Sequence, residues 1–435
     1  MADEDGTQIL DGSSALRLSC VLEFACTHAC RELRQHLLFD VSTLPSVGAD
    51  FSLAADASSN GAHRRSPVNL CLCLDRSGSM EGDPLDYAKR ACLHVVDMLG
   101  PNDVLSVVTF AEQAEVLLPA QRGVNKEAIR QKVDRISIGN RTNLHKGLES
   151  ALDQVFAGKS PESLNRIVLL SDGEPTVGVK DFQGIVTLVT DRRRDGIKVS
   201  GLGFGPAYNE ELIAALARRS GGNYYYISRP ESLPEIFAIE LEGLMRTAAR
   251  DVKLRVRMPA GIALHQVYAN EPVEVGCREY EVGLVDIEWG ESVTSLWELD
   301  IADHVPGFFR IAAAELEYQD CSTFSGQRVS AEAVVEFSDH PARNCRPGNP
   351  GVQSEVRLML ASRQLDQTMV AMRSRSVTAK NALADLERTH KLLANDGRRV
   401  QAGHVQRAID DIKAGESIEK TLIGAIVPID QGRRA

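Results

Sequence analysis

The sequence predicts an α/β protein: a doubly wound, mostly parallel sheet inserted in an antiparallel β-sandwich, with a C-terminal helical tail. Three observations predict this. Apolar strand-like runs alternate with helical spacing from about residue 67 to 248. The hydrophobic period changes to two between Asp251 and Phe337. Helical spacing then returns beyond Pro350. Alternating strands and helices argue a parallel sheet with right-handed crossovers, and period-two runs argue strands with one buried face.

Length and composition bound the rest. At 435 residues the chain has room for about three ordinary domains. Its 43% hydrophobic and 25% charged residues suit a packed protein. A formal net charge of −11 argues against nucleic-acid or anionic-membrane binding and suits a chain that holds a cation. The opening MADEDGTQIL has no basic and apolar signal pattern, and no run is long and apolar enough to span a bilayer. The expectation is a cytoplasmic protein whose nine cysteines are free core residues.

Taken in order, residues 1–12 are polar and expected to fray. Residues 13–44 carry two strand patterns, Leu16 to Cys20 and His36 to Val41, expected to complete the later sandwich. Pro45 to Ser66 is rich in Gly, Ser, Ala and Asp and reads as a loop. Within 67–248, strands are expected at Val68–Leu74, Val104–Phe110, Arg166–Ser171, Lys198–Phe204 and Tyr224–Ile227. Helices are expected at about 126–135, 144–157, 181–194, 209–219 and 231–247, and another begins at Asp83-Pro84. Residues 249–340 form the body of the sandwich, and His340 to Gly351 reads as a linker. The region 352–428 is helical: Leu358, Leu365, Met369 and Met372 share one face, and a last helix is expected to stop near Ile426, before Pro428. Residues 353–435 hold 14 basic and 10 acidic side chains, so the tail is positive on a negative body. That asymmetry favours docking on the chain itself, as an autoinhibitory arm, or on an acidic partner.

The chemistry gathers at three loops. VNLCLCLDRSGSM, Val68 to Met80, is an uncharged run followed by Asp75, Ser77 and Ser79 on one tight turn. A run without charge on either face suits a strand buried on both sides, and open α/β sheets put their ligand site at the carboxyl ends of such strands. Thr142 lies in GNRTNLHKGLESAL, just before a helix, and Asp172 follows the strand RIVLLS. Hydroxyls with carboxylates and water are what a hard divalent cation prefers. Taken alone, Asp75, Ser77 and Ser79 could equally be turn and cap residues.

Three pieces in this order, D-R-S-G-S at 75–79, T-N-L at 142–144 and S-D-G at 171–173, resemble the metal-ion-dependent adhesion site of the von Willebrand factor type A (VWA) family, bacterial multidomain members included. The resemblance covers about 67–248. It implies a Rossmann-like VWA domain in which Ser77, Ser79 and Thr142 offer hydroxyl oxygens to Mg2+ or Mn2+. Asp75 and Asp172 would act through bridging waters and hydrogen bonds. The vacant position would take a partner's Asp or Glu carboxylate. The function implied is non-catalytic, cation-dependent protein binding. An alternative is a subunit or adaptor of a separate AAA+ ATPase of the MoxR or chelatase kind, since no Walker motif is present. A metal-dependent phosphoryl-transfer enzyme is a third class, but it needs a nucleophile or base beside the ion.

Other motifs carry less. Cys26-Thr-His-Ala-Cys30 lacks a second pair at zinc spacing. Gly201-Leu-Gly203-Phe-Gly205 does not open from an early strand, and Gly158-Lys159-Ser160 lacks the first glycine of a phosphate loop. No G-x-S-x-G elbow or H-E-x-x-H pattern occurs, and His145 is expected to be a solvated neighbour of Thr142.

Overall fold

A computed structural model describes residues 15–44, 65–123, 125–172, 174–193, 195–204, 208–227, 229–344, 347–373, 379–415 and 418–434. The fraying expected at 1–12 and most of the loop expected at 45–66 lie outside the described residues.

The chain opens with β1 (Leu16–Leu22), β2 (Cys26–His28) and β3 (Leu33–Thr43). The central segment runs β4 (Val68–Asp75), α1 (Asp83–Met98), β5 (Val104–Phe110), β6 (Ala114–Arg122), α2 (Lys126–Asp134), α3 (Leu144–Ala157), β7 (Leu164–Ser171), α4 (Phe182–Arg193), β8 (Ile197–Phe204), α5 (Glu210–Ser220), β9 (Tyr224–Ile227) and α6 (Leu233–Met245). Strands follow: β10 (Thr247–Arg257), β11 (Ile262–Val267), β12 (Val273–Gly276), β13 (Glu279–Gly283), β14 (Ile287–Glu288), β15 (Ser292–Ile301), β16 (Gly307–Asp320) and β17 (Gly326–Ser338). The rest is α7 (Pro341–Asn344), α8 (Pro350–Arg373), α9 (Ala379–Asn395), α10 (Arg399–Lys413), α11 (Ile418–Asp430) and the short β18 (Arg433–Arg434). The fold divides into two compact units, with breaks at 47/48, 247/248, 412/413 and 424/425.

In the unit around the central segment, the sheet order is β6-β5-β4-β7-β8-β9. All pairs are parallel except β5 with β6. Every residue of β4, β5, β7 and β8 is buried, as a sheet covered on both faces requires. From β4 the chain moves out to β5 and β6, then returns to β7 on the other side of β4. The strand order therefore reverses between β4 and β7, where doubly wound sheets open a crevice at their carboxyl ends. Asparagine side chains start three of the helices. Asn125, Asn143 and Asn209 accept from the backbone N–H of Ala128, Lys146 and Leu212 at 3.1, 3.3 and 3.0 Å. Each such cap is worth about 1 kcal/mol.

The other unit is a sandwich. One sheet has the order β1-β3-β15-β11, with β18 beside β15; the other is β12-β13-β10-β16-β17-β2, with β14 beside β10. The N-terminal strands do complete it. β3 pairs with β15 from Leu33↔Ile301 to Ser42↔Ser292. β1 alternates buried and half-buried residues, and its inner side chains join Phe39 and Trp297, whose rings meet edge to face at 5.5 Å. Truncating either aromatic costs about 3–5 kcal/mol. The helical tail docks on this sandwich within the unit. Glu355 of α8 accepts from Thr294 Oγ1 at 3.0 Å and pairs with Arg398, and Arg433 reaches Glu288 at 2.8 Å.

Four local expectations need correction. β2 and β6 are strands that the pattern did not announce. β6 tolerates Pro119 because it lies at an edge, where a missing N–H costs little. The expected linker at 340–351 contains the single turn α7 and the start of α8. α11 continues through Pro428 to Asp430, since a proline in a last turn removes only one helical bond. Of the cysteines, Cys20, Cys71, Cys73 and Cys92 are buried and free, Cys26 and Cys321 are buried, and Cys30 and Cys277 are free but exposed, while Cys345 lies outside the described residues. Among the described residues, no helix is long and apolar enough to cross a membrane.

Candidate metal centre

The site begins where β4 ends. Asp75 closes the strand and is fully buried. Its Oδ1 accepts the Ser77 backbone N–H at 2.9 Å, which folds the chain back at once. A short turn, Gly78–Met80, follows and is pinned by the buried Met80 side chain. This local fold brings Ser77 Oγ and Ser79 Oγ to 3.3 Å.

The neighbouring strand supplies the next groups. β4 and β7 run parallel with Leu74 opposite Leu170, so Asp75 and Ser171 are level. Ser171 Oγ donates to Asp75 Oδ2 at 2.8 Å. The next residue, Asp172, accepts from Ser79 Oγ at 2.8 Å through Oδ1. Asp75, Ser77, Ser79 and Asp172 are therefore linked by direct hydrogen bonds on the two sides of the strand-order reversal.

Thr142 arrives on a third loop. Gly139 N–H donates to the Arg76 carbonyl at 2.7 Å, and Asn143 N–H to the Ala111 carbonyl at 2.8 Å. Gly139 must be glycine, because a Cβ there would meet Ala111 Cβ at 2.4 Å. The Thr142 carbonyl accepts from Thr176 and Val177 N–H at 2.9 and 3.3 Å, and its own N–H donates to Thr176 Oγ1 at 2.8 Å. Thr142 is thus buried between the loop after β4 and the loop after β7. Ser79 is the exposed member of the set.

The electrostatics are unusual. Neither Asp75 nor Asp172 pairs with a Lys, Arg or His among the described residues; their direct partners are hydroxyls and an amide. Burial pushes the Asp75 carboxyl up to about 7, against the opposing pull of Ser77 and Ser171 and with a further push from Asp172. Burial also raises Asp172, while the Ser79 hydrogen bond lowers it. Two desolvated carboxylates with no counter-charge among the described residues destabilise the cluster. The donors are all oxygens, with hydroxyls outnumbering carboxylates, and no set of three His, Cys, Asp or Glu gathers as a metal cage among the described residues. A hard divalent cation fits this donor set; a soft one does not.

Ser171 stands in the S-D-G piece of the motif, but sequence reasoning gave it no role in the site. Its signal was the parallel register, which places the last residue of β7 beside the last residue of β4. The discounted motifs have structural roles. Cys26 Sγ and His28 Nδ1 both contact the Asn344 amide, at 3.5 and 3.1 Å. Gly203 leaves room for the Tyr208 ring, 2.0 Å from where its Cβ would stand. Gly158 ends α3.

A doubly wound sheet with a hydroxyl and carboxylate cluster at its reversal point belongs to the class of α/β domains that place a ligand site there. The chain carries a von Willebrand factor type A domain: residues 69–239 match that family. The structure resembles a von Willebrand factor type A protein from Catenulispora acidiphila over 98% of this chain and 99% of that one, with TM-score 0.75 and 15% identity. It also resembles the ArnB paralog VWA2 from Sulfolobus acidocaldarius over 96% and 98%, with TM-score 0.62 and 16% identity. At these identities the likeness speaks for the fold, and it extends through the sandwich and tail. In sequence, the chain is 28% identical over 287 residues to the uncharacterized protein sll0103 of Synechocystis, covering 63% of this chain and 67% of that protein. It is 30% identical over 239 residues to YfbK of Escherichia coli, covering 54% and 42%. The match to the pig inter-alpha-trypsin inhibitor heavy chain H1 is 28% over 206 residues and spans 23% of that protein. The chain thus spans less than half of the last two relatives.

Proposed function

We propose that this protein is a non-catalytic binding module that captures a protein partner through a divalent cation, Mg2+ or Mn2+. Ser77, Ser79 and Thr142 hold the ion with their hydroxyl oxygens. Asp75 and Asp172 orient those hydroxyls and act through bridging water. The bound ion supplies a Lewis-acidic corner for an Asp or Glu of the partner. With mostly neutral donors, the cluster leaves an incoming carboxylate much to gain. The observation that carries the reading is the buried Asp75 and Asp172 pair, wrapped in hydroxyls and without a basic partner among the described residues.

Calorimetry with MgCl2 and MnCl2 tests it. The expected result is binding by the native chain and none by Asp75→Ala, with the fold of the variant intact. Unchanged affinity in Asp75→Ala overturns the reading. A pull-down with and without chelator then identifies the partner, and an AAA+ ATPase among the chelator-sensitive proteins would place the module in such a complex.

A further inference from the structure

Arg76 stands between Asp75 and Ser77, yet it is tied to two other loops. Its backbone N–H donates to the Phe110 carbonyl at 2.9 Å, and its carbonyl accepts the Gly139 N–H at 2.7 Å. Its side chain turns away from solvent: Nη1 donates to the Ser137 carbonyl at 3.3 Å, and Nη2 lies 3.8 Å from Glu115 Oε2. The side chain is only 20% exposed. Gly139 packs so closely that a Cβ there would sit 3.3 Å from Arg76 Nη1.

We propose that Arg76 is a positioning residue for Thr142, acting through the segment Gly139–Asn143. The inference rests on the cation-binding reading above. That segment is held at both ends, by Arg76 at Gly139 and by Ala111 at Asn143. Thr142 hangs between the two anchors. The guanidinium forks across the Ser137 carbonyl and the Glu115 carboxylate, so it fixes the approach of the segment to the loop that carries Ser77 and Ser79. Its Nη2 lies toward Glu115, a pairing distinct from attraction of a partner's carboxylate. Loss of the side chain removes the Ser137 contact and leaves the Gly139 end held by the Arg76 main-chain carbonyl alone, which loosens the loop that carries Thr142. Lysine keeps the charge but offers no planar fork, so it restores only part of the grip.

Two measurements on the full chain test this. The first is Mg2+ titration calorimetry on the native chain, Arg76→Ala and Arg76→Lys. Groups that orient metal ligands typically change metal affinity by about ten- to a hundredfold, so roughly tenfold weaker binding is expected in R76A and partial recovery in R76K. The second is amide hydrogen exchange without metal, where R76A is expected to speed exchange at residues 139–143 and leave 70–75 unchanged. Should R76A not fold, Arg76→Gln, which retains one amide donor for Ser137, takes its place. Native Mg2+ affinity in R76A overturns the proposal. So does weakened binding without faster exchange at 139–143, since Arg76 would then act on the ion by another route. If the native chain shows no Mg2+ binding, the cation reading itself fails, while the exchange experiment still reports on the brace.

Discussion

β4 and β5 lie side by side, and a buried carboxylate stands at each end of the pair. At the amino end, Asp103 precedes β5. It accepts a two-pronged contact from Arg65 at 2.8 and 2.6 Å, and takes the N–H groups of Val68 and Gly100 at 2.8 and 2.7 Å. At the carboxyl end, Asp75 has one amide and one hydroxyl, with Asp172 near enough to repel it. Asp103 is saturated and neutralised, as a group that holds a fold together should be. Asp75 and Asp172 are desolvated, and among the described residues they have hydroxyls and an amide for partners but no cation. Burial alone does not separate structural from functional carboxylates; the nature of the partners does.

Substitutions at the two ends should have opposite signatures. The largest effect on folding is expected at the amino end. Asp103→Ala strands Arg65 and two backbone donors and should cost about 3 kcal/mol of stability, read as a lower thermal or urea midpoint, with Mg2+ affinity unchanged. A loss of Mg2+ binding there would erase the distinction. Next comes the metal itself. Mg2+ at a hundred times its dissociation constant should add about 2.7 kcal/mol to the native chain, and the same increment to Asp103→Ala, but nothing to Asp75→Asn. Differential scanning calorimetry with and without chelator measures all three. Asp172→Asn should weaken Mg2+ binding by roughly ten- to a hundredfold. Its metal-free midpoint should hold or rise, because a buried uncompensated charge is removed; a large fall would mean Asp172 is structural. The smallest effect belongs to Ser171→Ala, which deletes one hydrogen bond to Asp75. It should cost about 1 kcal/mol and a few-fold in affinity, the two together marking a residue that orients a carboxylate.

The carboxyl end was legible in the sequence because its signal is local. Asp75, Ser77 and Ser79 share one turn, and Thr142 and Asp172 each follow a recognisable element boundary. The central strands were legible because both faces are apolar. What was not legible depends on register or on distance along the chain. Ser171 joins the site only because β4 and β7 pair in one particular parallel register. Arg65 meets Asp103 across two segments that share no periodicity. Arg76 looks like any solvated arginine until Gly139 and Ser137 are placed beside it. β6 has a proline and mostly exposed side chains, so no alternation announces it. The first strand was legible, since Leu16 to Cys20 alternates cleanly and such a strand needs a sheet to join.

That shared sandwich sets an order of events during synthesis. Leu37 faces Trp297 across the β3 and β15 ladder, so the first hairpin leaves the ribosome long before its other neighbour exists. Every strand of the inserted sheet has emerged by Ile227, whereas β15 is complete only at Ile301. The insert has its own core and is translated first, while β3 waits with an open edge and Phe39 unsheltered. A nascent chain halted before Ser292 carries that sticky edge indefinitely and is the species most in need of a chaperone.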